Sequence, residues 1–268
     1  MTVTATDTAQ HGAKAHSDGD WANRPPVQTR SDRPKSTDVA DFAKVTGREA
    51  VWKFAPVAKL DGLLNGALDG SPVEPSVSDH AGVTSEWIGR DDSRIGRAGI
   101  PEDRAAAAAW SAFDSANLIT VSGSEKATTV VKRSGLGRVA RAGHTIIEAA
   151  PQSEALVILE NEGEARLTEN VEIVVGDGAK LTLVSVQQWH DEAIHLASHH
   201  AIVGRDAELT HILVTLGGEI VRVNPSIHLN SQGAGGEAFG AYFADAGQHL
   251  EHQVYIDHDA PHTRSRVT

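Results

Sequence analysis

Cysteine is absent from all 268 residues of the sequence. Disulfide bridges, zinc–thiolate sites and cysteine nucleophiles are therefore excluded as features of this chain. A chain of this length can bury a sizeable core without such cross-links.

Basic charge and aromatic side chains are also scarce. Lys and Arg number 24 against 36 Asp and Glu, the formal net charge is -12, and aromatic residues make up 4%. A nucleic-acid binder needs a basic surface that releases counterions from phosphates, and single strands need aromatic stacking platforms. An anionic membrane surface would repel the chain. We therefore expect neither nucleic acid nor membrane as a partner.

Long apolar runs are missing too. The sequence starts MTVTATDTAQHGAK, which lacks the basic start and apolar run of a secretory signal. No stretch approaches the length of a membrane span. The sequence predicts a cytoplasmic protein.

Three regions follow one another along the chain. Residues 1–38 are polar and contain three prolines, which predicts a disordered arm. Residues 39–116 predict a small helical region, with Asp38 as an N-cap and Pro101 in the first turn of a helix that runs to about Phe113. Residues 117–268 consist of short β-branched runs separated by Gly, Pro or charge, which predicts a β core.

An internal repeat is the most informative pattern. VVGDGAKLTLVSV at 174–186 matches IVGRDAELTHILV at 202–214, so that Gly176, Leu181 and Thr182 recur 28 residues later. A looser third copy at 231–243 aligns Gly233 with Gly204 and Glu237 with Glu208. We interpret each copy as strand, glycine corner and strand, with glycine supplying a positive φ. One copy cannot bury its apolar face, so stacking into a β-solenoid is favoured over an antiparallel sheet.

Two enzyme classes have partial signatures. Gly135, Gly137 and Ala140 after a β-rich run, with Glu160 further on, mimic a dinucleotide-binding fingerprint, but the following segment is a poor helix. Asp257 and Asp259, with Arg264, could form the acidic cleft of a polysaccharide-active β-solenoid. These residues are more simply interpreted as a cluster of charges on the solvent-exposed surface.

Histidine is abundant, with 14 residues. Imidazole is a common metal ligand, although a surface or hydrogen-bonded role is commoner for any one histidine. In QHLEHQVYIDH a single strand would place His252 and His258 on one face. We take His258 and His262 as the candidate pair for a histidine-based metal-binding protein.

The C-terminal half resembles the SufB/SufD family of iron–sulfur cluster assembly proteins. The resemblance rests on ENVEIVVGDGAKLTLVSVQQW at 169–189, LGGEIVRVNPSIHL at 216–229 and GEAFGAYFADAGQHLEHQVYIDHDAPHTRSR at 236–266. It covers about residues 150–268, and the order and spacing of these stretches are more specific than any one of them. The absence of cysteine favours the SufD side of the family.

The resemblance implies a right-handed parallel β-helix after an N-terminal helical region. It also implies a non-catalytic scaffold subunit, paired with a SufB-like homologue and served by a SufC-like ATPase. Family members continue beyond the Ser-Arg signature into a segment that carries the SufC docking surface, so the chain resembles a C-terminally truncated member with an incomplete β-helix. We expect no cofactor bound by this chain alone, because iron–sulfur clusters are held by thiolates. The nascent cluster would be hosted by the complex.

Overall fold

The computed structural model describes residues 33–123 and 125–268. The helices are α1 (Asp61–Leu64) and α2 (Arg104–Ala112), with 3-10 turns at Val39–Asp41, Ala50–Trp52 and Val57–Lys59. The strands are β1 (Ser76–Val77), β2 (Val83–Gly89), β3 (Ser115–Val121), β4 (Ala127–Arg133), β5 (Ala140–Ala149), β6 (Glu154–Gly163), β7 (Arg166–Val175), β8 (Lys180–Trp189), β9 (Ile194–Val203), β10 (Glu208–Thr215), β11 (Ile220–Leu229), β12 (Gly235–Tyr242), β13 (His249–His252), β14 (Tyr255–His258) and β15 (Arg264–Val267). Residues 1–32 of the predicted arm lie outside the described residues.

From β3 onward the chain alternates between two sheets. The first sheet has the order β1-β4-β6-β8-β10-β12-β15, and the second has the order β13-β11-β9-β7-β5-β3-β2, with β14 also paired to β11. Strands β3 to β15 are parallel to one another within each sheet, and those that pair lie 26–29 residues apart in sequence. This is a parallel β-solenoid of about five turns, as the repeat predicted. The right-handed sense of the coil stays a prediction.

The register confirms the first two copies of the repeat and corrects the third. Leu181 lies opposite Leu209 and Thr182 opposite Thr210. In the next turn, however, Glu208 lies opposite Gly235 rather than Glu237. The third copy is therefore displaced by two residues from the predicted alignment. That turn of the coil is one residue shorter than the turn before it, and Gly233 occupies a different position in the corner.

The interior of the coil is apolar through most of its length. Odd-numbered residues of β7 and β9, such as Val171, Ile173 and Ala201, point inward and pack against residues of the facing sheet such as Leu181 and Leu183. Alternation along each strand places every second side chain in this interior. One coil alone would leave its interior face exposed at its edges, so stacking of the coils creates the core.

One corner of the coil has the same backbone conformation in each turn. The residues there have positive φ: Gln152 (62°), Gly178 (68°), Asp206 (51°), Gly233 (77°) and His262 (60°). The backbone N–H groups of the first four donate to carbonyls of the following turn: Gln152 to Asp177 (2.9 Å), Gly178 to Arg205 (2.8 Å), Asp206 to Gln232 (3.0 Å) and Gly233 to Pro261 (3.3 Å). We call this series the corner ladder. It continues the hydrogen bonding of the sheets around the bend.

The repeated glycines Gly176 and Gly204 serve a different purpose from the one predicted. Neither has positive φ. Instead, a Cβ on Gly176 would lie 2.7 Å from the Pro151 nitrogen and 2.9 Å from the Ala149 carbonyl oxygen. Glycine is required here because the backbone of the preceding turn passes too close for a side chain.

The predicted small N-terminal helical region is confirmed, and it covers the outer face of the second sheet. Asp38 caps a 3-10 turn, with its carboxylate accepting from the Ala40 N–H at 2.8 Å. Helix α2 begins after Pro101, because Asp103 is its N-cap and accepts from the Ala106 N–H at 2.9 Å. Strand β2 runs antiparallel to β3 and extends the sheet. No helix of residues 33–123 and 125–268 has the length and apolar character needed to cross a membrane.

The dinucleotide-binding alternative is wrong. Gly135 and Gly137 lie in the loop after β4 with φ values of 72° and 69°. The chain then enters strand β5 rather than a helix. Without a helix N-terminus, the fingerprint lacks the group that would bind pyrophosphate.

We expect Gly176→Ala to destabilise the protein by about 1–3 kcal/mol, because the crowding atoms are backbone atoms that cannot turn away. The matched control is Gly89→Ala, since a Cβ on Gly89 meets no atom within 4 Å. Urea unfolding of the two variants measures the difference. Equal unfolding midpoints would contradict the proposed role of Gly176.

Candidate functional site

A row of polar side chains runs along the first sheet on its interior face. Arg133, Asn161, Gln187 and Thr215 lie opposite one another on β4, β6, β8 and β10. Arg133 Nε donates to Asn161 Oδ1 at 2.7 Å, and Asn161 Nδ2 donates to Gln187 Oε1 at 3.0 Å. We call these four residues the polar row. Hydrogen bonds join the first three of them, and Thr215 Oγ1 lies 2.9 Å from Nε2 of His252.

A buried carboxylate on the second sheet faces the polar row. Glu169 of β7 has a fully buried side chain, and Arg133 contacts both of its oxygens, with Nη2 to Oε1 at 2.7 Å. His195 Nε2 approaches Glu169 Oε1 at 2.7 Å. His195 Nδ1 in turn lies 3.2 Å from Nε1 of Trp189. The two sheets are thus joined through Glu169 across the interior.

The contacts of Glu169 set the protonation of the cluster. Burial by itself raises the pKa of Glu169, but the Arg133 charge and hydrogen bonds from Arg133 and His195 outweigh burial and hold that pKa far below its ordinary value. Burial lowers the pKa of His195, and Glu169 offsets this only in part. Glu169 is therefore ionised and His195 is neutral. An ionised carboxylate can only accept, so Nε2 of His195 carries the hydrogen and Nδ1 accepts from Trp189.

A histidine pair lies deeper in the same interior. His199 Nδ1 and His211 Nε2 are 3.0 Å apart, and both residues are buried. Burial, followed by the neighbouring His211, lowers the pKa of His199, and burial lowers the pKa of His211 to about 4. Both rings are neutral near pH 7, and one N–H joins them.

A second buried polar cluster lies on the outer face of the second sheet, beneath the loop before α2. Glu172 Oε1 accepts from the Gly96 N–H at 2.7 Å and contacts His144 Nε2 at 2.8 Å, and Glu172 Oε2 accepts from the Ala98 N–H at 3.0 Å. This carboxylate fixes the loop to the sheet. The ring of His200 is buried nearby against Gly99, and burial lowers its pKa to about 4.

The predicted metal pair, His258 and His262, stays a prediction, and the structure shows what each residue contacts or where it lies. His258 already uses both ring nitrogens, Nδ1 with Thr263 Oγ1 at 2.7 Å and Nε2 with Ser265 Oγ at 2.9 Å. His262 is the exposed positive-φ residue of the last corner. The predicted single strand is also broken, because β13 ends at His252 and β14 begins at Tyr255.

The residues of the predicted polysaccharide cleft divide between the two sheets. Asp257 lies on β14 of the second sheet, and Asp259 lies in the turn that follows. Arg264 begins β15 of the first sheet and pairs with Glu208. The arginine proposed for the cleft therefore has a structural partner on β10.

Comparisons with known proteins identify the family. The family model described as SUF system FeS cluster assembly, SufBD core domain, matches residues 131–268. The chain belongs to the SufBD family. An iron-sulfur cluster assembly SufBD family protein of Mycobacterium leprae is 41% identical over 236 residues, which cover 87% of this chain and 60% of the relative. Another of Mycobacterium tuberculosis strain H37Rv is 39% identical over 240 residues, covering 87% and 59%.

These matches confirm the predicted family and leave the SufD side of it a prediction. The chain spans about 60% of the length of the SufBD relatives it matches. The polar row, Glu169 and the histidine pair all lie within the residues matched by the SufBD core domain. They are therefore features of the domain that defines the family in this chain.

Sequence reasoning missed this interior cluster. His195, His199 and His211 were each expected at the surface or in a hydrogen bond; all three are hydrogen-bonded, and the sequence reasoning did not foresee that they are buried. The available signal was the alternation of inward-facing and outward-facing residues along the strand. In β9 the residues at 195, 197, 199 and 201 point inward, so a polar residue in that phase of an apolar strand indicates a buried polar contact.

We expect Glu169→Gln to destabilise the protein by about 3–5 kcal/mol, because it leaves the Arg133 charge buried without a compensating carboxylate. The matched control is Glu164→Gln, which removes a pair with Arg138 whose side chains are 43% and 66% exposed. The control should change stability far less. Urea unfolding at pH 7.5 compares them, and similar losses would contradict a buried ion pair.

We expect stability to fall as pH drops from about 6.5 towards 4. In this window the unfolded chain protonates His200 and His211, whereas burial lowers both pKa values to about 4 in the folded protein. The unfolded state binds more protons, so the free energy of unfolding decreases by up to about 1.4 kcal/mol per pH unit for each histidine. Urea unfolding measured at intervals of about one pH unit between pH 4.5 and 7.5 tests this expected loss of stability.

His211→Gln should reduce that pH slope, and the exposed His190 supplies the control substitution His190→Gln. Protonation of Glu169 also lowers the free energy of unfolding, but at lower pH. Its pKa is depressed, so its contribution is present above the unfolded value of about 4.3 and is lost as pH falls below it. A flat profile, or equal slopes in the two histidine variants, would contradict the assignment of neutral buried histidines.

Proposed function

We propose that this chain is a non-catalytic scaffold subunit of a SufBCD-type complex that assembles iron–sulfur clusters in the cytoplasm. The observation that carries the proposal is the SufBD core domain over residues 131–268. The relatives named above are described as iron-sulfur cluster assembly proteins. We extend that role to this chain because the match covers most of its length.

Composition supports a scaffold role over a cluster-holding role. Iron–sulfur clusters are held by cysteine thiolates, and the 268 residues contain none. The thiolates for a nascent cluster would therefore come from a partner, which we propose is a SufB-like homologue. A SufC-like ATPase would complete the complex and supply the energy of ATP hydrolysis.

The fold suits a scaffold because its coils are fixed to one another in three ways. The two sheets supply continuous backbone hydrogen bonds, the corner ladder continues them around the bend, and Glu169 connects the sheets through the interior. A surface built on such coils keeps its shape when a partner binds, which reduces the entropy lost on association.

Co-expression with SufB-like and SufC-like subunits tests the proposal. We expect the chain to elute with the SufB-like subunit in size-exclusion chromatography, and iron with acid-labile sulfide to accumulate in the complex after reconstitution. The isolated chain should gain no acid-labile sulfide under the same conditions. Gly176→Ala should weaken complex formation more than Gly89→Ala, since only the former disturbs the coil.

Two outcomes would count against the scaffold role. One is the absence of association with either subunit at micromolar concentration in analytical ultracentrifugation. The other is acid-labile sulfide on the isolated chain at one cluster per molecule, because a chain without thiolates would then be the cluster holder.

A further inference from the structure

Three side chains from neighbouring turns meet on the outer face of the second sheet. His228 of β11 lies opposite Asp257 of β14 in the parallel register. Asp259 follows in the turn after β14, and its backbone N–H donates to the Leu229 carbonyl at 3.1 Å, which fixes that turn beside the end of β11. The register of two adjacent coils therefore brings one imidazole and two carboxylates together.

The donor atoms of these residues are close enough for one ion. One ligand atom from each of His228, Asp257 and Asp259 lies within 4.8 Å of the others, and His228 Nδ1 is 3.8 Å from Asp257 Oδ2. Donors bound at about 2.0–2.2 Å to one tetrahedral zinc-sized ion lie about 3.3–3.6 Å apart. Binding would therefore draw the donor atoms together by up to about 1.5 Å, which requires side-chain rotation.

The other ring nitrogen of His228 faces an orienting group. Ser226 Oγ lies 3.4 Å from His228 Nε2 and donates to Glu102 Oε2 at 3.3 Å. Metal-binding histidines usually have their second nitrogen held by a hydroxyl, carbonyl or carboxylate, which fixes the tautomer. With Nε2 directed to Ser226 and Glu102, Nδ1 faces Asp257.

The proposed ligands are partly buried rather than freely solvated. The side chains of His228 and Asp257 are 14% and 15% exposed. Imidazole and carboxylate are both ordinary ligands of transition-metal ions.

We propose that His228, Asp257 and Asp259 form a binding site for one divalent transition-metal ion, oriented through Ser226 and Glu102. An imidazole ligand favours Zn²⁺, Co²⁺, Fe²⁺ or Ni²⁺ over Mg²⁺ and Ca²⁺, which prefer all-oxygen sites. The site is independent of the scaffold role and of thiolate chemistry.

Titration of the tag-free, chelator-treated full chain tests the site. We expect one Zn²⁺ per chain above the weak background of other histidines by calorimetry at pH 7.5, and visible absorption bands with Co²⁺. His228→Ala should abolish this binding, and Ser226→Ala should weaken it about 10–100-fold. Asp259 is exposed, so Asp259→Asn should preserve the fold and still weaken binding at least about tenfold, the scale on which metal ligands contribute. Excess Mg²⁺ should not displace the ion.

His258→Ala is the control, because His258 lies between the two aspartates but uses both nitrogens for Thr263 and Ser265. It should leave the affinity and the Co²⁺ spectrum unchanged. Equal affinity in the wild type and Asp259→Asn would overturn the proposal, whatever the stability of His228→Ala. Loss of binding in His258→Ala with retention in His228→Ala would overturn it as well.

Discussion

Parallel register between successive coils is the constraint on which the rest of the structure depends. Each strand of β7 to β11 pairs residue by residue with the strand 26–28 positions away, and the corner ladder holds the same register where the chain turns. A slip of one residue would exchange the interior and exterior faces of a whole strand. Residues distant in sequence but equivalent in the repeat therefore become fixed neighbours, and each polar cluster arises in this way.

Polar residues that the register brings together behave differently on the interior and exterior faces of the coil. Inside the coil, water is excluded, so an ionised Glu169 is tolerated only because Arg133 and His195 both contact it. Replacing the whole cluster with apolar residues could cost little, whereas removing one member leaves a buried charge. The cluster therefore contributes less to net stability than to specificity, because only the native register satisfies its members. On the outer face, the loop before α2 excludes water from Glu172 and His200 but leaves His228 and Asp257 within reach of solvent.

The repeat in the sequence was sufficient to predict stacked coils, because Leu181 and Leu209 are equivalent in both pattern and register. It was insufficient for the third copy, where a shorter turn moved Gly233 into the left-handed corner. The positions of the glycines were a misleading guide to the corner conformation. Gly176 is needed because backbone atoms leave no room for a side chain, whereas Gln152, Asp206 and His262 adopt the positive φ expected of glycine. Polar residues can occupy that corner when the ladder fixes the backbone. The inward phase of β9 could have indicated buried polar residues, but the contacts of Glu169 with Arg133 and His195 could not be predicted, because they depend on which strands face each other across the coil.

The same argument explains why the proposed ligand set combines residues of two coils, whereas the pair predicted from sequence, His258 and His262, lies within one. His258 and Asp257 are neighbours along β14, so their side chains point to opposite faces, and the hydroxyls of Thr263 and Ser265 occupy the histidine. Asp257 instead meets His228, which lies opposite it one coil earlier. The proposed ligand set therefore joins a histidine of one coil to two aspartates of the next. A search of such sequences for sites is therefore best made at offsets of one turn, where the spacing of 29 residues between His228 and Asp257 has a direct structural meaning.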